Sequence, residues 1–293
     1  MTLNEYLAAR HTKGTAKRYM EAIRDYHKAV SEQKAQTATY TEIMAYIGKL
    51  RERYNSPKTV KSCLHGIKKY YSWLIHTGQR KDHPCKYLRL RDKESRDIQL
   101  QDLFSEQELG LLMERKERYP RLEIKNRAMI SLLIYQALTG GEIAKLTIHD
   151  LNLEEGTVRV KPSVKLNGRT LKLQNNQVML FYKYIFESRP KLLKEETTKL
   201  FIGMRGTAEN HEGVNYLVKT YKKLFPEKNL NPKTIRQSVI ANKLKLGHDL
   251  RVVQHFAGHK YPSSTERYKQ TQVEELKHQV LRHHPLQIKR KEE

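Results

Sequence analysis

Apolar residues in this chain recur mostly at steps of three and four, and that period restricts the fold more than any other feature. Ala16, Tyr19, Met20, Ile23, Tyr26 and Val30 form a one-sided stripe of the kind an amphipathic helix buries. Ile43, Met44, Ile47 and Leu50 repeat the pattern behind Thr41, a residue suited to capping a helix. Ser56-Pro57 reads as another start, with Ser as cap and Pro at the first helical position. The stripe behind it runs Val60, Cys63, Leu64, Ile67, Tyr70, Tyr71 and Leu74, and Gly78 is the expected stop. Residues 102–116 are expected to be helical, because Ser105 with Glu108 three residues later has the capping-box pattern. Asn126 to Leu138 reads as a helix buried on most sides, and Glu142, Ile143 and Leu146 as part of the next. Strict alternation occurs only in Thr157–Val160 and Thr170–Leu173, and Asn167-Gly168 between them predicts a hairpin. The rest is expected to be helical to about residue 282, with Gly247 ending one helix and Asp249 starting the next. These patterns predict a mainly α (α+β) protein with one small β-hairpin or sheet.

A length of 293 residues allows two domains, each with its own core. Residues 89–101 are charged and carry no apolar period, which suits a linker. The expected layout is a helical domain over 1–88, the linker 89–101, a second domain over 102–285 and a polar tail over 286–293. The net charge is +24, and it is shared: residues 1–100 hold 21 basic and 10 acidic side chains, the remainder 35 and 22. A single basic tail would not give this distribution, and a polyanion held between two basic halves would suit it. A nucleic acid is therefore the expected partner, with a generally basic solvated surface or a membrane-surface binder as the alternatives. Lys58, Lys61, Lys68 and Lys69 on the third expected helical stripe, with Arg169 beside the hairpin turn, are the candidate DNA contacts. Cys63 and Cys85 have no metal-ligand spacing and read as reduced thiols. No apolar run is long enough to span a bilayer, so a cytoplasmic, nucleoid-associated protein is expected.

Chemistry is suggested near the C-terminus, where Arg236, His259 and Tyr268 are separated by 23 and 9 residues. A phenol can attack a phosphodiester to give a phosphotyrosine and release a sugar hydroxyl. Arginine and other fixed donors would stabilise the charge on the phosphate, and a lysine can protonate the leaving oxygen. Lys165, beside the hairpin turn, is a candidate for the last role. Such a path needs no metal and no cofactor, and none is expected.

Taken together, these residues resemble a tyrosine recombinase of the phage-integrase family, Xer-like in size and layout. The similarity is densest over Gly247-His248-Asp249-Leu250-Arg251-Val252-Val253-Gln254-His255-Phe256-Ala257-Gly258-His259, and extends to Ser56–Val60 and Tyr71–Leu74. It implies a SAM-like four-helix core-binding domain followed by a mostly helical catalytic domain. It makes Tyr268 the nucleophile, Arg236 and His259 phosphate ligands, and Lys165 the proton donor, with Lys161, Arg169 and Lys172 open for the same role. It also implies a synaptic tetramer on double-stranded DNA, with a C-terminal segment carrying Leu276, Val280 and Leu281 that docks on a neighbouring protomer. Accessory DNA-bending proteins would be further partners, and integration, excision or resolution of a mobile element or replicon the setting.

Two positions depart from the family pattern. The segment Gln136-Ala137-Leu138-Thr139-Gly140-Gly141-Glu142-Ile143 places Thr139 where the family has its first arginine. A hydroxyl donates one neutral hydrogen bond and cannot replace a bidentate charged pair. Losing one such donor costs on the order of 3–4 kcal/mol at a transition state, and Arg127 and Arg169 are the candidates to compensate. In the box Lys233-Thr234-Ile235-Arg236, Lys233 stands where the family has histidine. These departures keep a catalytically weak or inactive DNA-binding accessory protein, and a type IB topoisomerase-like enzyme, as alternatives.

Overall fold

The computed structural model describes residues 1–92 and 98–268. The chain divides into two compact units, Met1–Arg96 and Asp97–Glu293. The first is helical: α1 (Leu3–Ala8), α2 (Lys13–Val30), α3 (Glu32–Thr37), α4 (Tyr40–Arg53) and α5 (Pro57–His76). The apolar stripes meet in one core that includes Ile23, Tyr26, Ile43, Ile47, Leu64, Ile67, Tyr71 and Leu74. Helices α2 and α5 approach closely at Gly66, where an added Cβ would lie 2.9 Å from the Cβ of Ala22. The resemblance implied four helices; α1 and α3, six residues each, are short additions to the three long ones. The cap of α4 is Thr39, not Thr41, because Glu42 lies three residues beyond Thr39 and closes the capping box with it.

Beyond α5 the chain folds back onto this core. Cys85 and Leu88 are buried in it, and Leu90 packs against it. Lys68 donates to the carbonyls of Lys86 and Leu88 at 3.0 and 2.7 Å, and Arg51 pairs with Asp92 at 3.0 Å. Residues 89–92, expected as linker, therefore lie against the first unit, while 93–97 lie outside the described residues.

The second unit begins with α6 (Glu106–Glu114), capped by Ser105 as expected, and α7 (Pro120–Tyr135). Its core is built from α7 outward and includes Met129, Leu132, Leu133, Phe181, Phe201, Val214, Val218 and Ile235. A four-residue helix, α8 (Gly140–Ile143), precedes the three-stranded antiparallel sheet β1 (Leu151–Asn152), β2 (Thr157–Val160) and β3 (Arg169–Lys172), in the order β1-β2-β3. Val160 pairs with Arg169, so Asn167-Gly168 is not a two-residue turn: the connection is residues 161–168. It turns earlier, where Ser163 N–H donates to Leu166 O and the Ser163 hydroxyl accepts from Leu166 N–H. Gly168 is needed for another reason, since a Cβ there would sit 2.9 Å from Pro162 Cδ.

Helix α9 (Asn175–Lys183) continues through a π-turn at Tyr184–Ser188 into α10 (Arg189–Leu192). The expected helical run then breaks over residues 193–210. There the Arg189 side chain donates to the carbonyls of Thr197, Lys199 and Leu200, and Tyr184 Oη donates to Leu200 O. These bonds hold extended backbone, with isolated bridges Thr147–Lys199 and Ile202–Ala208. Helices α11 (His211–Thr220), α12 (Pro232–Lys245), α13 (Leu250–Ala257) and α14 (Ser263–Glu266) complete the described chain. Leu276, Val280, Leu281 and the expected tail lie outside the described residues. Among the described residues no helix is long and apolar enough to cross a membrane. The protein is thus mainly helical with a small antiparallel sheet, and residues from α8, β3, α12 and the stretch from the end of α13 to just beyond α14 meet at one place.

Candidate active site

Arg236 comes from the second turn of α12. Asn231 caps that helix, accepting from the N–H groups of Lys233 and Thr234, and Pro232 occupies its first position. The Arg236 side chain is buried, and its guanidinium donates from Nη1 to Ala137 O at 2.5 Å and from Nη2 to Ala257 O. Ala137 holds φ at +51°, a conformation uncommon for a residue with a Cβ, and its carbonyl is the one that meets Arg236. Burial lowers the Arg236 pKa and Glu142 opposes the shift; arginine remains charged regardless.

Glu142 is the hub of the cluster. Its Oε2 accepts from Thr139 N–H at 2.8 Å and Thr139 Oγ1 at 2.9 Å, and lies 3.8 Å from Arg236 Nη1. Its Oε1 accepts from Arg169 Nη1 at 2.6 Å. Burial alone would raise this carboxyl, and the Arg169 hydrogen bond and charge outweigh it, leaving its pKa below the usual value. Thr139 also accepts from Glu142 N–H, so the pair forms a capping box on α8. The single hydroxyl proton of Thr139 is committed to Glu142, and the donor expected there for a phosphate is already in use.

Gly258 ends α13 with φ +68°, a conformation that favours glycine, and an added Cβ there would lie 2.6 Å from Arg169 Nη1. The next residue, His259, bonds through Nδ1 to the hydroxyl of buried Thr265 at 2.8 Å. Its ring stacks near that of Tyr268, with centroids 6.4 Å apart and planes 18° apart. Burial, then Arg236, Arg169 and Arg267, push the His259 pKa down to about 4, so the imidazole is neutral near pH 7. Tyr268 is 7% exposed and packs in a small cluster with Ile240, Leu244, Val253 and Ala257. Burial raises its pKa, while Arg236 and Arg267 pull it back. The hairpin loop reaches the same place: Leu166 forms a bridge with His259, and Asn167 N–H donates to Gly258 O at 2.8 Å. Lys165, one residue before that bridge, is exposed beside it. On the hairpin side of the cluster a cleft of about 810 Å³ is lined by Thr139, Glu142, Lys145, Lys161, Lys165 and His211 among others, and not by Arg236, His259 or Tyr268.

The arrangement places a buried phenol, a neutral imidazole and two guanidiniums next to a basic cleft. Residues 102–275 match the Phage integrase family, and residues 2–80 match the Phage integrase, N-terminal SAM-like domain. The chain belongs to the phage integrase family. It is 28% identical to the tyrosine recombinase XerD of Oceanobacillus iheyensis over 275 residues, covering 91% of this chain and 88% of the relative. It is 27% identical to the tyrosine recombinase XerC of Roseiflexus castenholzii over 236 residues, covering 78% and 73%. In fold it is similar to the XerH site-specific recombinase bound to palindromic difH in a post-cleavage complex. That likeness has a TM-score of 0.70 at 18% identity, over 90% of this chain and 78% of the other. It is also similar to the Tn1549 transposon integrase in complex with a circular intermediate DNA, with a TM-score of 0.61 at 16% identity, over 95% and 99%.

Within this family member, Tyr268, His259, Arg236, Thr139 and Arg169 come together, with Lys165 at the rim. Lys233 is exposed on the first turn of α12. Lys161 is paired with Asp150 at 3.3 Å, and Lys172 is exposed on β3, paired with Thr157. Arg127 pairs with Glu123 on the surface of α7, away from the cluster's hydrogen bonds. In the first unit, Lys58 is exposed, whereas Lys61 and Lys68 donate to backbone carbonyls at 86–92. Sequence reasoning passed over Thr265, His211 and the central role of Glu142. Glu142 was visible only as a motif anchor, and its partner Arg169 is 27 residues away, across the hairpin.

Proposed function

We propose that this protein is a site-specific DNA recombinase that cleaves and rejoins strands through a 3′-phosphotyrosine. The observation that carries this is the convergence of Tyr268, His259 and Arg236 beside the hairpin loop that holds Lys165. Tyr268 Oη attacks the phosphorus, the bond to the 5′ oxygen breaks, and Lys165 gives that oxygen a proton. The phenolic proton passes to His259, whose neutral ring is free to accept it. A bound phosphate anion raises the basicity of that ring, against the effect of the neighbouring arginines. Arg236 supplies charge to the non-bridging oxygens. Attack by a 5′ hydroxyl on the phosphotyrosine reverses the step and seals the new junction. Recombination between two duplexes calls for a synaptic tetramer, and integration, excision or resolution of a mobile element is the setting that fits.

The absence of a guanidinium at Thr139 favours one other function, a DNA-binding accessory protein with little or no cleavage. A nicked suicide duplex carrying the cognate site, selected from random-sequence DNA by binding, separates the two. The expected result is a covalent protein–DNA adduct on a denaturing gel that Tyr268→Phe abolishes. Tight binding without any adduct would overturn the enzyme.

A further inference from the structure

The buried cluster holds more positive charge than its own partners neutralise. Arg236 and Arg169 both lie against Glu142, at 3.8 and 2.6 Å, and all three side chains are at most 8% exposed. Two guanidiniums and one carboxylate leave a net charge of +1, and His259 is neutral. Arg169 is the less satisfied of the two arginines. Its Nε donates to Phe256 O at 2.7 Å and its Nη1 to Glu142, but its Nη2 is buried with no hydrogen-bond partner among the described residues. Buried polar groups are nearly always paired, and a charged donor left unpaired is costly, so such a group marks a place where an anion completes the structure. Arg169 also acts on the reacting groups, since its charge lowers the pKa of both His259 and Arg236. Arg127, the other candidate, is 41% exposed and spent on Glu123.

We propose that Arg169, reaching in from β3, supplies the guanidinium that position 139 lacks, with Nη2 donating to a non-bridging oxygen of the scissile phosphate. This rests on the strand-cleavage function proposed above. In the step itself the Tyr268 Oη–phosphorus bond forms and the bond to the 5′ oxygen breaks. The phenolic proton goes to His259 and the 5′ oxygen takes one from Lys165. Arg169 forms and breaks no covalent bond. It offsets the second negative charge that appears on the pentacoordinate phosphorus, as Arg236 offsets the first. Glu142 holds both guanidiniums, one from β3 and one from α12.

The test compares two suicide duplexes, one with the natural phosphodiester and one with a methylphosphonate at the cleavage position. The methyl group removes the negative charge that Arg169 would meet. Single-turnover adduct formation is measured for the full-length wild type, Arg169→Ala and Arg169→Lys, with thermal melting and DNA binding as controls of folding. On the phosphodiester, Arg169→Ala is expected to lose about 100- to 1,000-fold, as for loss of one fixed donor to a developing oxyanion. Arg169→Lys keeps a charge for Glu142 and loses the fork, so it should fold where Arg169→Ala does not, and it is expected to lose at least about tenfold. On the methylphosphonate, each variant should come within about threefold of wild type. A loss of the same size on both duplexes would overturn the proposal and leave Arg169 a support for Glu142, with strand cleavage by Tyr268 standing. No wild-type adduct on the phosphodiester would overturn strand cleavage, and this proposal with it.

Discussion

The two sides of the candidate site differ in where their charges sit. On one side, Arg236, Arg169 and Glu142 are buried and bonded to one another and to backbone carbonyls, with Tyr268 packed among aliphatic side chains. On the other, Lys165 stands in solvent on a loop held by Ser163, and Val164 before it is 92% exposed. The buried side is already assembled, so its charges do not have to be ordered when a phosphate arrives. The exposed side is held by the Ser163 hydroxyl within the loop and by backbone contacts to Gly258 and His259, and on the proposed mechanism its lysine is ordered only by the substrate. Changes on the buried side should therefore disturb stability and chemistry together, while changes on the exposed side should disturb chemistry alone.

The sharpest way to break that contrast is Lys165→Ala. A positioned proton donor contributes about 100- to 10,000-fold, and a loss in that range is expected in single-turnover cleavage. The melting temperature should not move, because an exposed side chain without structural partners contributes within about 0.5 kcal/mol. A substrate with a sulfur leaving group in place of the 5′ oxygen needs no proton, and it should restore the rate. If the variant stays slow on that substrate, Lys165 is a DNA contact and not the acid.

What was legible in the sequence follows the same division by range. Helices α2, α5, α6 and α13 could be expected from periodicity and caps, because those signals lie within a few residues of one another. The order Arg236, His259, Tyr268 was legible because one short stretch, from α12 to just beyond α14, carries all three. The hairpin was legible, but its turn was not: Asn167-Gly168 carries a local turn signal, and the close approach of Gly168 to Pro162 is set by the longer loop. Residues 193–210 read as helix because nothing local reveals that Arg189 and Tyr184 hold their carbonyls. Lys68 resembled a phosphate contact on a basic helix face, and only the fold-back of residues 86–88 shows the carbonyls it serves. The hub at Glu142 needs β3, α8 and α12 together, and no single stretch of sequence contains it.

A second way to sharpen the contrast is to titrate His259, which links the two sides. Its pKa in the folded protein is pushed from 6.5 down to about 4, chiefly by burial and then by Arg236 and Arg169. Between those values the unfolded chain binds a proton that the folded one refuses. Stability from this group is therefore whole above about pH 6.5 and is lost as the pH falls toward 4. The slope is at most about 1.4 kcal/mol per pH unit, and less because the ring is partly exposed. His11, His27 and His83 have lowered pKa values as well, so the quantity to measure is the difference between wild type and His259→Gln in denaturant melts across this range. A proton resonance of His259 titrating near 6.5 would mean a solvated ring and would dissolve the distinction between the two sides.

The smallest effect belongs to Thr139, which borders both sides. Its hydroxyl caps α8 and gives its one proton to Glu142, so Thr139→Ala should cost about 1 kcal/mol of stability, the usual price of an N-cap. Cleavage should change by no more than about threefold, because Glu142 keeps Arg169 and stays within reach of Arg236. Chemical denaturation and single-turnover adduct formation measure the two quantities on the same preparation. A loss of about 100-fold in cleavage, with the 1 kcal/mol unchanged, is the size expected for a donor to the transition state. It would mean that the hydroxyl turns from Glu142 to the phosphate when DNA binds. The buried side would then not be fully assembled beforehand, and the charge assigned to Arg169 would be shared with a residue that moves.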